Sequence, residues 1–181
     1  MRCAIGGVAM ALTLSACAGG YRPVSDTPVR IGRPYTVRGR TYVPAAQPAY
    51  DMLGYATVYG GESGNRTALG EKFRPRWPTA AHRTLPLPTY VEVTALDSGA
   101  RIVVRVNDRG PFAGGDAQII DLSRGAAALL GIGSGHAPVR VRIVDPAERD
   151  RERLRQGKPA APLPPLPQST VRALRARLAA G

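Results

Sequence analysis

Cysteine, histidine, tryptophan and phenylalanine are nearly absent from this chain: its 181 residues hold two Cys, two His, one Trp and two Phe. Both cysteines, Cys3 and Cys17, lie near the N-terminus, so no disulfide is expected to staple the body of the protein. His82 and His136 are far apart in sequence, and no cluster with metal-ligand spacing accompanies either, so no metal is expected. Neither a G-x-S-x-G, a Walker nor a dinucleotide pattern occurs, and no cofactor is expected. Long apolar runs are missing too. Ala4 to Leu14 is too short to span a membrane as a helix.

Acids are scarce, at 13 Asp and Glu against 25 Lys and Arg, a formal net charge of +12. The excess sits in the flanks: +5 over residues 1–49, +2 over 50–145 and +5 over 146–181. A nucleic-acid-binding domain concentrates basic residues on its folded part, so no nucleic-acid partner is expected. Basic flanks fit attraction to an anionic envelope, or plain solvated surface.

Glycine and proline are plentiful, at 21 and 17, and the prolines crowd into the first half and the C-terminal end. This composition divides the chain into residues 1–17, a leader; 18–49, a Pro- and Arg-rich stalk; 50–145, the folded domain; and 146–181, a basic, Pro-rich tail. In the leader, Arg2 precedes the short apolar run and Leu14-Ser15-Ala16-Cys17 closes it, as in an export signal. The tetrapeptide resembles the bacterial lipobox, which implies lipid attachment at Cys17 and a periplasm-facing protein. Ala18 carries no inner-membrane retention signal, so the outer membrane is the expected address.

From Gly54 onward the chain reads as short strands bounded by Gly, Pro, Asn and Asp: Tyr55 to Tyr59, Tyr90 to Leu96, Arg101 to Val106, Gln118 to Leu122 and Val139 to Val144. In Val139-Arg140-Val141-Arg142-Ile143 apolar residues and arginines alternate, so one face is core and the other solvated. The spacing predicts a small closed or nearly closed β barrel. Pro34 to Pro44 alternates like an edge strand or turn. One helix is expected after Ser123, over Ala126 to Leu130, ended by Gly131 or Gly133. In the tail, Ala147 to Gln156 is a mixed-charge helix candidate and Pro159 to Pro167 a polyproline-type spacer. Ser169 to Ala180 is a short amphipathic helix candidate through Val171, Leu174 and Leu178, expected to fray.

The polar residues on stiff loops carry the candidate chemistry. Asp108 ends an alternating strand inside Arg105-Val106-Asn107-Asp108-Arg109-Gly110-Pro111-Phe112, and His82 precedes Pro86 and Pro88. A polysaccharide-cleaving site needs a carboxyl group that protonates a leaving oxygen and a second group that assists. Asp108, Glu71 and His82 are the candidates. From local pattern alone, Asp108 fits a turn cap as well as a catalyst, Glu71 fits a solvated acid, and His82 fits a hydrogen-bonded structural histidine. Asp121 reads as a structural acid before the helix.

Five blocks resolve these alternatives: Gly54 to Gly60, Thr67 to Glu71, Thr79 to Thr94, Ile102 to Phe112 and Ile119 to Ser123. Together they resemble the rare lipoprotein A (RlpA) family of peptidoglycan lytic transglycosylases over about residues 34–144. The resemblance implies a mainly β fold, a six-stranded double-psi β barrel with one or two short helices. It implies catalytic positions at Asp108, His82 and Glu71, and substrate contacts at Tyr59, Asn107 and Arg109. The implied activity is non-hydrolytic cleavage of the β-1,4 bond between N-acetylmuramic acid and N-acetylglucosamine in peptide-stripped glycan strands. The implied partners are peptidoglycan glycan strands and, through the lipid, a membrane; envelope or divisome proteins are a further expectation without a named member.

Departures from the family pattern bear on this. Thr57 and Val58 stand where the family has Ser-Trp, the segment around Glu62, Ser63 and Gly64 replaces Phe-His-Gly, and Gln118 replaces an arginine in a lengthened loop. The 36 residues after Asp145 are too few for a C-terminal SPOR domain, so septal targeting does not follow from the resemblance. The alternative is a non-catalytic, expansin-like peptidoglycan-binding lipoprotein.

Overall fold

The computed structural model describes residues 20–60, 64–133 and 135–181. The apolar leader, the lipobox-like Leu14 to Cys17, and the altered positions Glu62 and Ser63 lie outside the described residues.

Six strands close into a barrel. They are β3 (Asp51–Tyr59), β4 (Thr79–Ala81), β5 (Thr89–Ala95), β6 (Arg101–Asp108), β7 (Gln118–Ser123) and β8 (Ala137–Ile143), in the order β3-β7-β4-β6-β5-β8. Two pairings are parallel, β3 with β7 and β4 with β6; the other four are antiparallel. Ahead of the barrel, β1 (Tyr35–Val37) and β2 (Arg40–Tyr42) form a hairpin within the segment that alternates between Pro34 and Pro44. Its turn residues Arg38 and Gly39 both have positive φ, the geometry that matches strand twist in a two-residue connection.

Alternation places the core inside. Val91 and Val93 of β5, Val104 and Val106 of β6, Ile120 and Leu122 of β7, and Val139 and Val141 of β8 are fully buried and pack in one cluster. The outward residues of β5 and β8 are charged and matched: Glu92 faces Arg142 in register and takes bidentate hydrogen bonds from both Arg142 and Arg101. β4 has no alternation of its own, being three small residues held between β6 and β7.

Helix α1 (Arg124–Leu130) starts at Ser123, whose side chain accepts from the Ala126 amide, and ends at Gly131 with φ 69. The same Ser123 hydroxyl donates to the Trp77 carbonyl at 2.5 Å. Close packing fixes the residue in its first turn: a Cβ at Gly125 would lie 2.2 Å from the Arg76 carbonyl oxygen, so only glycine fits there.

The flanks differ most from expectation. The segment read as a stalk lies along the barrel: Arg22 N–H donates to the Gly70 carbonyl, and Arg30 exchanges two main-chain hydrogen bonds with Leu87. In the tail, α2 (Glu148–Arg155) falls on the mixed-charge helix candidate, and α3 (Gln168–Ala180) forms where the amphipathic candidate was expected to fray; together they bury Leu154, Val171 and Leu174. Between the helices, Leu166 N–H donates to the Gly99 carbonyl and Arg101 donates to the Pro164 carbonyl. The proline-rich stretch is therefore docked on the β5–β6 end of the barrel by these hydrogen bonds.

Candidate functional site

A bulge sets the position of Asp108. In the parallel pairing of β4 with β6, Ala80 faces Val106 and Ala81 faces Asp108, so two β6 residues oppose one step of β4 and Asn107 is the extra residue. Val106 points into the core, whereas Asn107 and Asp108 both reach the outer face with Arg105. A bulge of this kind re-aims a side chain and strengthens local twist. Laterally, Asp108 pairs with Ala81, Ala81 with Asp121, and Asp121 with Thr57, which makes one row across four strands. The Thr57 hydroxyl donates to Asp121 Oδ1, so the threonine that replaces the family's usual residue anchors a carboxylate.

Asp108 Oδ1 accepts two main-chain amides, from Ala68 and Arg109, each at 2.8 Å. Among the described residues nothing hydrogen-bonds Oδ2. Burial pushes the Asp108 carboxyl above the ordinary range; the two amides and Arg109 oppose this in part, and the nearby Glu71 charge reinforces it. A carboxyl of this kind keeps its proton at higher pH than an exposed aspartate.

Glu71 arrives on the loop that follows β3, pinched by an isolated bridge between Arg66 and Lys72. The turn at Gly70, with φ 84, is closed by Gly70 N–H to the Thr67 carbonyl. Glu71 is 3% exposed, and its Oε2 accepts from Arg105 Nη1 and Asn107 Nδ2, each at 2.8 Å. Three buried polar atoms in the same neighbourhood, Tyr59 Oη, Thr67 Oγ1 and Asn107 Oδ1, have no partner among the described residues. Such orphans are costly unless a ligand or water satisfies them. Tyr59 stacks on Phe73 at 5.0 Å, and burial pushes its phenol well above the usual value.

His82 is built differently. Its Nδ1 accepts the main-chain amides of Leu85 at 3.0 Å and Thr84 at 3.2 Å, which leaves the proton on Nε2, 3.0 Å from Tyr50 Oη. Burial, with Arg109 and Arg83 nearby, pushes its pKa down to about 3, so the ring is neutral through the physiological range. Its backbone touches the carboxylate strand, because His82 N–H donates to the Asp108 carbonyl. The ring faces away, into a cavity of about 600 Å³ lined by Tyr42, Tyr50, Met52 and Arg83 among others.

Arg109, read as a substrate contact, has its guanidinium occupied by the main-chain carbonyls of His82, Leu85 and Ile31. The structure thus brings Glu71, Asn107 and Asp108 together with Tyr59, joins His82 to them through the backbone, and makes Arg109 a strut. Sequence reasoning passed over Arg105, whose outward phase on β6 was legible but whose partners were not. Cys17 lies outside the described residues.

The barrel strands and this row coincide with a known family: the lytic transglycosylase family described as “Lytic transglycolase” matches residues 51–141, from the start of β3 to within β8. The chain belongs to this family of double-psi β barrels. Among curated relatives, the endolytic peptidoglycan transglycosylase RlpA of Pseudomonas aeruginosa is 46% identical over 141 residues, which cover 76% of this chain and 40% of that protein. RlpA of Neisseria meningitidis is 44% identical over 119 residues, covering 64% of this chain and 49% of its own. The chain therefore spans less than half the length of these relatives. Among solved structures, a Streptomyces papain inhibitor matches 56% of this chain and 100% of its own, with a TM-score of 0.44 and 23% identity. Membership in the family matches the RlpA-like reading of the sequence blocks.

Proposed function

We propose that this protein is a peptidoglycan lytic transglycosylase, cleaving the β-1,4 bond between N-acetylmuramic acid and N-acetylglucosamine in peptide-stripped glycan strands and leaving 1,6-anhydromuramyl ends. The observation that carries this reading is Asp108: a half-buried carboxyl with a raised pKa, one oxygen fixed by two amides and the other without a hydrogen-bond partner among the described residues. In the first step Asp108 Oδ2 gives its proton to the leaving glycosidic oxygen as the C1–O4 bond breaks. In the second, the same oxygen takes the proton of the muramyl C6 hydroxyl as O6 bonds to C1. One carboxyl serves both steps because they are sequential, and no water enters the balance. Glu71, a carboxylate already paired with Arg105 and Asn107, stabilises the positive charge that develops on the sugar. His82, with Nδ1 occupied, acts as a positioning residue that shapes the loop and holds the Asp108 backbone. Thr67 and Asn107, whose buried Oγ1 and Oδ1 have no partner among the described residues, are the groups read as contacts for sugar hydroxyls, with Tyr59 beside them.

Incubation with peptide-stripped peptidoglycan and mass spectrometry of the products is the test. Wild-type protein should release anhydromuramyl ends, and Asp108→Asn should lower the rate by about 10²–10⁴-fold. Undiminished cleavage by a folded Asp108→Asn variant, or binding of glycan without any product, would overturn the assignment. We also propose that the protein works tethered by lipid at Cys17, facing the periplasm from the outer membrane; the lipobox-like Leu14 to Cys17 supports this. Labelled palmitate should enter the wild-type protein and not Cys17→Ser, and label in both would refute the anchor.

A further inference from the structure

Arg105 is a charged side chain with almost no access to water, at 1% exposure, and every arm of its guanidinium is used. Nη1 donates to Glu71 Oε2 at 2.8 Å, Nε to Asp26 Oδ1 at 3.0 Å, and Nη2 to the Ser25 carbonyl at 2.5 Å. The other oxygen of Asp26 accepts from Tyr90 Oη at 2.8 Å and from Arg155 Nη1 at 2.5 Å. Arg155 closes the series on Glu148 of α2. Charges alternate along the whole path, Arg155, Asp26, Arg105, Glu71, and the path ends at Asn107, which shares Glu71 Oε2 and adjoins Asp108 on the bulge.

The segment that delivers Asp26 is fastened on both sides of it. Arg22 N–H bonds the Gly70 carbonyl beside Glu71, Arg30 pairs with Leu87, and the Ile31 carbonyl accepts from Arg109. Residues 22–31 thus run from the Glu71 loop to the residue after Asp108.

We propose that Asp26 and Arg105 are positioning residues of the cleavage site, and that the segment around Asp26, clasped by α2, is a working part of that site. Arg105 holds Glu71 where Asn107 can share it, and Asp26 holds Arg105. This rests on the cleavage reading given above. A buried ion chain is a poor stabiliser, since an apolar replacement of similar volume is commonly as stable. What this one supplies is a fixed orientation of Glu71 and a set charge balance beside Asp108. Asp108 is faced by Glu71, Arg109, the amides of Ala68 and Arg109, and the phenols of Tyr59 of β3 and Tyr35 of β1; Asp26 is faced by Tyr90 of β5, Arg105 of β6 and Arg155 of α2, with Glu148 behind. Loss of the Asp26 charge makes the surroundings of Asp108 more positive and favours its carboxylate. Loss of the Arg155 charge does the reverse.

The test uses the full-length protein as Asp26→Asn, Asp26→Glu, Arg155→Gln and Leu154→Ala. Three quantities are measured: kcat and KM against pH on peptide-stripped glycan, the carboxyl NMR titration of Asp108, and the thermal midpoint. Asp26→Asn should lower kcat about tenfold with KM within about twofold. Its basic rate limb and the Asp108 titration should both move down by about half a pH unit. Asp26→Glu should restore the wild-type profile, and Arg155→Gln should move the Asp108 titration upward. Leu154→Ala, which only empties core under α2, should lower the midpoint and leave the titration in place. Opposite signs for Asp26→Asn and Arg155→Gln cannot come from general loosening. An Asp108 titration unmoved by both variants would overturn the proposal, even with cleavage intact. If wild type yields no anhydromuramyl ends while the titration still follows Asp26 and Arg155, the positioning stands and the cleavage reading falls.

Discussion

His82 couples the site to acid stability. Its pKa falls from 6.5 to about 3 on folding, so the unfolded chain binds a proton that the native ring refuses. Stability is therefore whole above pH 6.5 and is lost as pH falls toward 3, with a slope approaching about 1.4 kcal/mol per pH unit. Between pH 7 and pH 5, His82 alone should cost about 2 kcal/mol. His82→Asn keeps a side-chain acceptor for the Thr84 and Leu85 amides and has nothing to titrate, so urea melts of the variant should lack that portion of the acid loss. Equal pH dependence in both proteins would contradict the neutral, capping role. Asp108 has the opposite sign: its pKa is raised on folding, so the native state carries the cost at neutral pH, once the proton leaves. Asp108→Asn, inactive by proposal, should for that reason be at least as stable as wild type at pH 7, the usual exchange of function against stability. The sequence made the acid and the histidine visible as residues on stiff loops, and the family blocks singled them out. The tautomer and the outward turn of Asp108 were hidden, because both depend on a one-residue bulge and on amides that only the folded loop brings together.

Among the elements, long alternating strands were legible and short ones were not. β8 reads directly from Val139-Arg140-Val141-Arg142-Ile143, and β5 and β6 from their β-branched runs. β4 carries no period, and it is a strand because β6 and β7 pair with it on both sides. Yet this strand sets Ala81 between Asp108 and Asp121 and leads into His82, so the least legible element holds the site together. α1 was visible through its cap. Ser123 also ties the helix start to Trp77 and receives the Thr79 amide at 3.3 Å, so one hydroxyl joins α1 to the entry of β4. Ser123→Ala should cost about 1–2 kcal/mol, the upper part of the range for a helix cap. Chemical denaturation measures this, and a change below a few tenths would show that the hydroxyl contributes only locally. The flanks misled because they bury few apolar side chains, Leu154, Val171 and Leu174 in the tail, and a short stripe does not show what it docks on. Their hold on the barrel comes from contacts such as Asp26 with Arg105 and Leu166 with Gly99, which link residues far apart in sequence.

Taken whole, the molecule is a barrel whose first strand is closed by its last two. β3, at residues 51–59, pairs with β7 at 118–123 and β8 at 137–143, while β4, β5 and β6 lie between them in the chain. Nothing local can stand in for those partners: a parallel neighbour is out of reach of a hairpin, and β8 comes near the end of the barrel sequence. The same wiring gathers Thr57, Asp121, Ala81 and Asp108 into one row, so the site exists only when the circuit is complete. For a chain emerging from a ribosome or a narrow pore with its N-terminus ahead, β3 must wait unpaired until residue 143 has followed. The barrel therefore cannot close piecemeal during synthesis or passage, and the row that carries Asp108 cannot assemble until its last strands have followed.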